Sequence, residues 1–171
     1  VGDNAYGLDL FRVRGGKMHD YFFHAAGNTL EIDGAALTPD PVPDKDLYEW
    51  SGFSFPCKPK MDLRHIRELR AGTAPSGWTA TWRDITDWRS KPPRRDPDAA
   101  LRLWMTAGPE TQLIAGSAPN QRYIDTRDFG ERLQVLCARR TGQEALDTFV
   151  GVLEPYRGQP FIEAVTRLPV T

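Results

Sequence analysis

Hydrophobic and polar residues alternate with a period of two over most of the chain. In one segment Leu101, Leu103 and Met105 occupy every second position, with Arg102 and Trp104 between them. Successive side chains of a β-strand point to opposite faces of its sheet, so this pattern predicts strands with one buried face. Ten segments are predicted to be strands: 8–13, 19–24, 29–33, 49–55, 78–82, 101–105, 111–117, 133–140, 148–155 and 161–168.

Turn-forming residues separate these segments. Gly15 and Gly16 predict a tight turn, because glycine adopts a positive φ without steric penalty. The proline-rich, charged segments 37–46 and 87–100 are predicted to be surface loops. In segment 61–69 the apolar residues recur every third position, which is compatible with one helical turn or with an irregular strand.

About ten short strands predict an all-β protein, an antiparallel two-sheet β-sandwich forming a single domain over residues 1–171. Hydrophobic residues make up 40% of the chain and charged residues 26%, which is typical of a globular protein. No apolar run approaches the ~18 residues of a membrane-spanning helix, so no membrane partner is expected. The net charge is −1 and Arg94–Arg95 is only a short basic pair, so no nucleic acid is expected either.

Two features leave alternatives open. Cys57 and Cys137 form either a disulfide or two buried thiols. Val1 opens the chain and a strand-like run follows almost at once, so we expect the chain to be a fragment of a longer protein.

Segment 19–24, HDYFFH, contains two of the three histidines of the chain and is the first candidate for chemistry. On a strand His19 and Tyr21 share one face, ~6.6 Å apart, which suits two groups on opposite sides of a substrate. The alternative, favoured on general grounds, is that both pack and hydrogen-bond inside the sandwich. Asp20 and His24 lie about 13 Å apart on the other face, too far to bind one metal ion locally.

Tryptophan and arginine residues are further candidates for binding a substrate. Trp78 and Trp82 share a strand face and form a flat aromatic pair that can stack on sugar rings, although aromatic residues at this spacing are more often buried in a core. Trp50, Trp88 and Trp104 are weaker candidates of the same kind, and Trp88, in a polar loop, is the one expected to be exposed. Arg139 and Arg140 end a strand and can bind a carboxylate or sulfate through two hydrogen bonds, although surface ion pairs are the favoured alternative.

Residues 6–25, YGLDLFRVRGGKMHDYFFHA, resemble the start of the second half of the β-sandwich in heparinase II/III-like polysaccharide lyases. Residues 133–165, which end in EPYRGQPFI followed by EAV, resemble the closing strands of that family, and WTATW at 78–82 lies between them in the expected order. The resemblance implies the C-terminal β-sandwich portion of such a lyase. It also implies an upstream (α/α) toroid domain that this chain lacks.

The resemblance further implies cleavage of a uronic-acid-containing polysaccharide by β-elimination. His19 and Tyr21 would then be the catalytic candidates, since the base of this reaction is usually His or Tyr and the acid usually Tyr, while Arg139 and the Trp78–Trp82 pair would hold the acidic polymer. His24 would belong to a structural zinc or calcium site completed by residues outside this chain. Such a protein is expected in the periplasm or outside the cell.

Because the helical toroid is missing, the chain alone is expected to show little or no lyase activity. The alternative function is a non-catalytic β-sandwich module for carbohydrate binding or domain packing. Exposure of Trp78 and Trp82 favours binding, whereas their burial favours a scaffold.

Overall fold

All ten strands of the structure, a computed structural model, lie in five described parts of the chain. These are residues 4–39, 66–87, 89–119, 132–142 and 146–168. The strands are β1 (Gly7–Arg14), β2 (Met18–His24), β3 (Gly27–Asp33), β4 (Thr38–Pro39), β5 (Arg67–Ala74), β6 (Trp78–Asp87), β7 (Arg94–Met105), β8 (Thr111–Pro119), β9 (Arg132–Thr141) and β10 (Leu146–Arg157). These residues contain no helix, which confirms the prediction of an all-β fold.

The strands form two antiparallel sheets of five strands each that pack face to face. Sheet A has the order β1-β10-β7-β6-β3, and sheet B has the order β2-β9-β8-β5-β4. The predicted β-sandwich is therefore confirmed. Gly15 and Gly16 both have positive φ, 84° and 83°, in the turn that carries the chain from β1 in sheet A to β2 in sheet B.

The core lies between the two sheets and follows the predicted alternation. Leu103 and Met105 of β7 are buried, whereas Arg102 and Trp104 point to the outer face of sheet A and are partly exposed. The largest core side chain, Trp82, is fully buried and donates its indole N–H to the carbonyl of Gln134 in the opposite sheet, at 2.9 Å. Each large apolar side chain buried in this way contributes roughly 1.5–3 kcal/mol.

The loop prediction for 87–100 is wrong for its second half, because β7 begins at Arg94. The end of β6 pairs with this polar part of β7, and the register shifts between Arg83 and Ile85. Pro97 falls in the stretch of β7 opposite that shift. A proline lacks the N–H that a regular ladder needs, and an irregular register accommodates it.

The strand prediction for 161–168 is also wrong, because this segment has no strand residues and joins neither sheet. In segment 61–69 the described residues give no helical turn, since β5 begins at Arg67. In the loop predicted at 37–46 two residues form β4, and the rest of that loop lies outside the described residues. The strand predicted at 49–55 and Cys57 lie outside them as well.

Glu154 of β10 fixes the path of the C-terminal segment over sheet A. Its carboxylate is fully buried and accepts hydrogen bonds from Arg102 Nε at 2.7 Å and Trp104 Nε1 at 3.1 Å. It also accepts the backbone N–H groups of Phe161 and Ile162, both at 2.7 Å. Burial by itself raises the pKa of Glu154, but these hydrogen bonds outweigh it and hold the pKa below its ordinary value.

We predict that Glu154→Ala lowers the free energy of unfolding by roughly 3–5 kcal/mol near neutral pH, because it leaves Arg102 without its buried partner. Glu31→Ala is the control, since Glu31 forms an ion pair with Arg83 and both side chains are exposed; it should cost less than about 1 kcal/mol. Urea unfolding measures both values.

The pH dependence of that difference follows from the lowered pKa of Glu154. A carboxyl whose folded-state pKa is depressed stabilises the fold above the pKa of the unfolded chain, and the stabilisation is lost as pH falls through the folded-state pKa. The gap between wild type and Glu154→Ala should therefore narrow in acid. Equal stability of the Glu154 and Glu31 variants at neutral pH contradicts the anchoring role.

Candidate functional site

His19 lies inside the sandwich and is only 7% exposed. Its Nδ1 lies 2.6 Å from Oδ2 of Asp147 on β10, and its Nε2 contacts the carbonyl oxygen of Gly15. Both partners are acceptors, so the imidazolium form, with two N–H groups, satisfies both contacts. The bonds to Gly15 and Asp147 outweigh the effect of burial and raise the pKa of His19.

Tyr21 is buried two residues further along the same face of β2. Its hydroxyl donates a hydrogen bond to Oδ2 of Asp9 at 2.6 Å, and its ring stacks on Phe149 at 5.5 Å between centroids. Burial, reinforced by Asp9, raises the pKa of Tyr21 above its ordinary value. A tyrosine that acts as a base needs a lowered pKa, so this environment opposes that role.

Arg139 is nearly buried and binds Asp20 through two parallel hydrogen bonds, from Nε at 2.8 Å and from Nη2 at 2.7 Å. Asp20 lies directly opposite it on β2. Arginine typically binds a carboxylate ligand with this bidentate geometry, and here the carboxylate is that of Asp20. The structure therefore uses Arg139 to hold β2 against β9.

The remaining predicted residues do not assemble into a site. Trp78 and Trp82 are 4% and 0% exposed and belong to the core, so they offer no open aromatic platform, although Trp78 also borders the cleft described below. His24 is exposed at the end of β2. Within the described parts of the chain, no three histidine, cysteine, aspartate or glutamate residues are placed to hold a metal ion. Cys137 is buried, and burial raises the pKa of its thiol, which accords with the packing role expected of it.

A cleft of about 460 Å³ lies instead on the outer face of sheet A, at the end where β7 finishes. Trp104 and Thr79, which are opposite each other on β7 and β6, belong to its lining. The turns at 33–34 and 76–77 and the C-terminal residues 165–167 complete most of the lining. The segment anchored by Glu154 therefore forms one wall of this cleft.

Two contacts hold the indole of Trp104 in place. Its N–H donates to Glu154, and the guanidinium of Arg102 lies over its ring at 4.3 Å from the centroid. A cation above the face of tryptophan is attracted by the ring. The cleft thus combines a fixed aromatic side chain with the carboxylate of Asp33 and the guanidinium of Arg167.

Sequence reasoning ranked Trp104 below the Trp78–Trp82 pair. The signal that identifies it is the alternation of β7, which places Trp104 and Arg102 on the face opposite the core residues. The paired spacing of Trp78 and Trp82 predicts a shared face correctly, but that face is the buried one.

Comparison with known proteins found no match: no family model matches the chain, no curated protein matches its sequence, and no solved structure matches its fold. The resemblance to heparinase II/III-like lyases therefore stays a prediction. No helix long and apolar enough to cross a membrane occurs among the described residues.

We predict that His19→Gln lowers the free energy of unfolding by roughly 1–3 kcal/mol at about pH 6, because it leaves buried partners unsatisfied. A histidine with a raised folded-state pKa stabilises fully below the pKa of the unfolded chain, and the stabilisation disappears as pH rises through the folded-state pKa. The loss caused by His19→Gln should therefore be smaller at about pH 9.

The matched control is His24→Gln, because His24 is exposed on the same strand; its effect should stay within about 0.5 kcal/mol at either pH. Chemical denaturation at both pH values provides the measurement. A His19→Gln effect that does not change with pH contradicts the imidazolium bridge between Gly15 and Asp147.

Proposed function

We propose that this chain is a carbohydrate-binding β-sandwich module whose ligand occupies the cleft beside Trp104. The observation that carries the proposal is the outward-facing indole, which Glu154 and Arg102 hold in the lining of a cleft that contains both apolar and polar groups. Sugar rings present apolar C–H faces and polar edges, so they suit a rigid aromatic ring surrounded by hydrogen-bonding groups. The cleft volume, about 460 Å³, falls in the range of small-ligand sites.

The lining supplies the polar groups that such a ligand needs. Oδ1 of Asp33 accepts the N–H of Gly34 at 3.0 Å, and its Oδ2 has no partner among the described residues, so it is available to sugar hydroxyls. Ser76 and Thr166 add hydroxyl groups, and Arg167 adds a positive charge. These groups can hydrogen-bond sugar hydroxyls, and Arg167 can pair with an acidic group of a sugar.

The proposal assigns no proton transfer to this chain. His19 and Tyr21 are buried, each is bonded to a carboxylate of the protein, and the raised pKa of Tyr21 disfavours a base. In a polysaccharide lyase of the family that the sequence resembles, this domain would hold the acidic polymer while an upstream toroid supplied the chemistry. Periplasmic or secreted localisation is proposed with the same substrate class.

We predict that Trp104→Ala weakens binding of a glucuronate-containing oligosaccharide by about tenfold, the order expected for losing one aromatic stacking contact. Since Trp104 also bonds Glu154, a second variant is needed that leaves this bond intact. Ala107→Trp fills the cleft from an exposed position and should weaken binding at least as much.

Phe22→Ala serves as the matched control, because Phe22 is an exposed aromatic residue on sheet B, 47% accessible. Isothermal titration calorimetry measures affinity, and thermal unfolding shows whether each variant is folded. If Trp104→Ala and Ala107→Trp are folded and bind as tightly as Phe22→Ala, the cleft is not the binding site.

A further inference from the structure

Arg140 is a buried cation whose hydrogen bonds go only to neutral groups. It is 4% exposed, and its side chain extends from β9 in sheet B toward sheet A. Its Nε donates to the hydroxyl of Thr111 at 3.0 Å, and its Nη1 donates to the carbonyl of Thr148 at 3.1 Å. The ring of Phe149 lies 4.2 Å from the guanidinium. Its Nη2 has no hydrogen-bond partner among the described residues.

The charge around Arg140 is not balanced locally. The carboxylate of Asp147 acts on Arg140 electrostatically, but Asp147 forms its ion pair with His19. Burial lowers the pKa of Arg140 most strongly, Asp147 opposes this, and Arg167 lowers the pKa further. The positive charge of Arg167 thus disfavours the charged form of Arg140, and an anion bound near both would offset this effect.

The free Nη2 points at the loop between β7 and β8. A Cβ added to Gly108 would lie 2.9 Å from that nitrogen, closer than unbonded contacts allow. Gly108 is exposed, and its neighbour Ala107 lines the Trp104 cleft together with Arg167. Arg167 has no acceptor among the residues that the structure describes. Thus the absence of a side chain at Gly108 leaves Nη2 close to the surface, next to the cleft.

We infer that Arg140 and Arg167 form an oxyanion subsite at the Ala107–Gly108 end of the Trp104 cleft. Its ligand is a carboxylate or sulfate group carried by a sugar, an assignment that rests on the proposed function. Guanidinium groups bind such planar or tetrahedral oxyanions through short, charge-assisted hydrogen bonds. The buried Arg140 supplies a preorganised donor, and the exposed Arg167 supplies the second charge.

Titration of the full chain at constant ionic strength tests this subsite. The probes are sodium sulfate, sodium glucuronate and the neutral methyl glucoside, and the readouts are the NMR signals of the Arg140 Nε–H and the Gly108 amide. The Nε–H of Arg140 is buried and bonded to Thr111, so an ion bound only at the surface should not shift its NMR signal. We expect at least one of the two anions to shift both signals and the neutral sugar to shift neither. Binding of sulfate but not glucuronate, or the reverse, identifies the anion.

Two substitutions test the geometry. Arg167→Gln removes the second charge, and Gly108→Ala inserts a Cβ beside Nη2 at a backbone position without positive φ; each should weaken anion binding by about tenfold. Arg94→Gln is the charge-matched control, because Arg94 is exposed at the opposite end of β7. It should leave the affinity within about twofold.

Three results overturn the inference: no shift of the Arg140 signal with either anion, full affinity in both variants, or an equal loss in Arg94→Gln. The experiments distinguish an error in the subsite from an error in the proposed function. A neutral oligosaccharide that binds through Trp104, with anions bringing no gain, refutes only the subsite. Anion binding that depends on Arg167, with no oligosaccharide binding that depends on Trp104, supports the subsite and refutes the proposed function.

Discussion

The two sheets are joined through the core by hydrogen bonds between side chains that the sandwich buries. His19 on β2 reaches Asp147 on β10, and Tyr21 on β2 reaches Asp9 on β1, so both bonds run from sheet B to sheet A. A buried polar group without a partner costs free energy comparable to that of the hydrogen bond it has lost, so these pairs restrict how the sheets can pack. The apolar core, with Trp82 and Phe149 fully buried, packs around them.

The same hydrogen bonds distinguish the scaffold from the proposed binding surface. The sequence suggests catalytic or ligand-binding roles for His19, Tyr21 and Arg139. In the structure each of these side chains is bonded to a carboxylate of the protein itself. The proposed binding cleft, with Asp33 and Arg167 in its lining, lies instead where Glu154 anchors the C-terminal segment and orients Trp104. The cleft exists because one buried carboxylate holds both its wall and its aromatic side chain.

The sequence predicts the fold well where local periodicity decides it and poorly where distant partners decide it. The alternation of 101–105 is visible directly, and the structure confirms it. The strand that begins at Arg94 is not visible, because polar residues there become a strand only by pairing with the end of β6. The site follows the same rule: His19 and Asp147 are 128 positions apart, so no local pattern indicates their bond. Trp78 and Trp82 share a face as predicted, but spacing cannot show which face the second sheet covers.

A crystal structure of the chain with a glucuronate-containing oligosaccharide tests the central claim most directly. The account predicts the sugar against Trp104 between the 76–77 turn and residues 165–167, with an acidic group beside Arg167 and with the His19–Asp147 and Tyr21–Asp9 bonds unchanged. A ligand that contacts His19 or Tyr21, with either bond broken, contradicts this account. It would indicate that these residues act directly on the ligand.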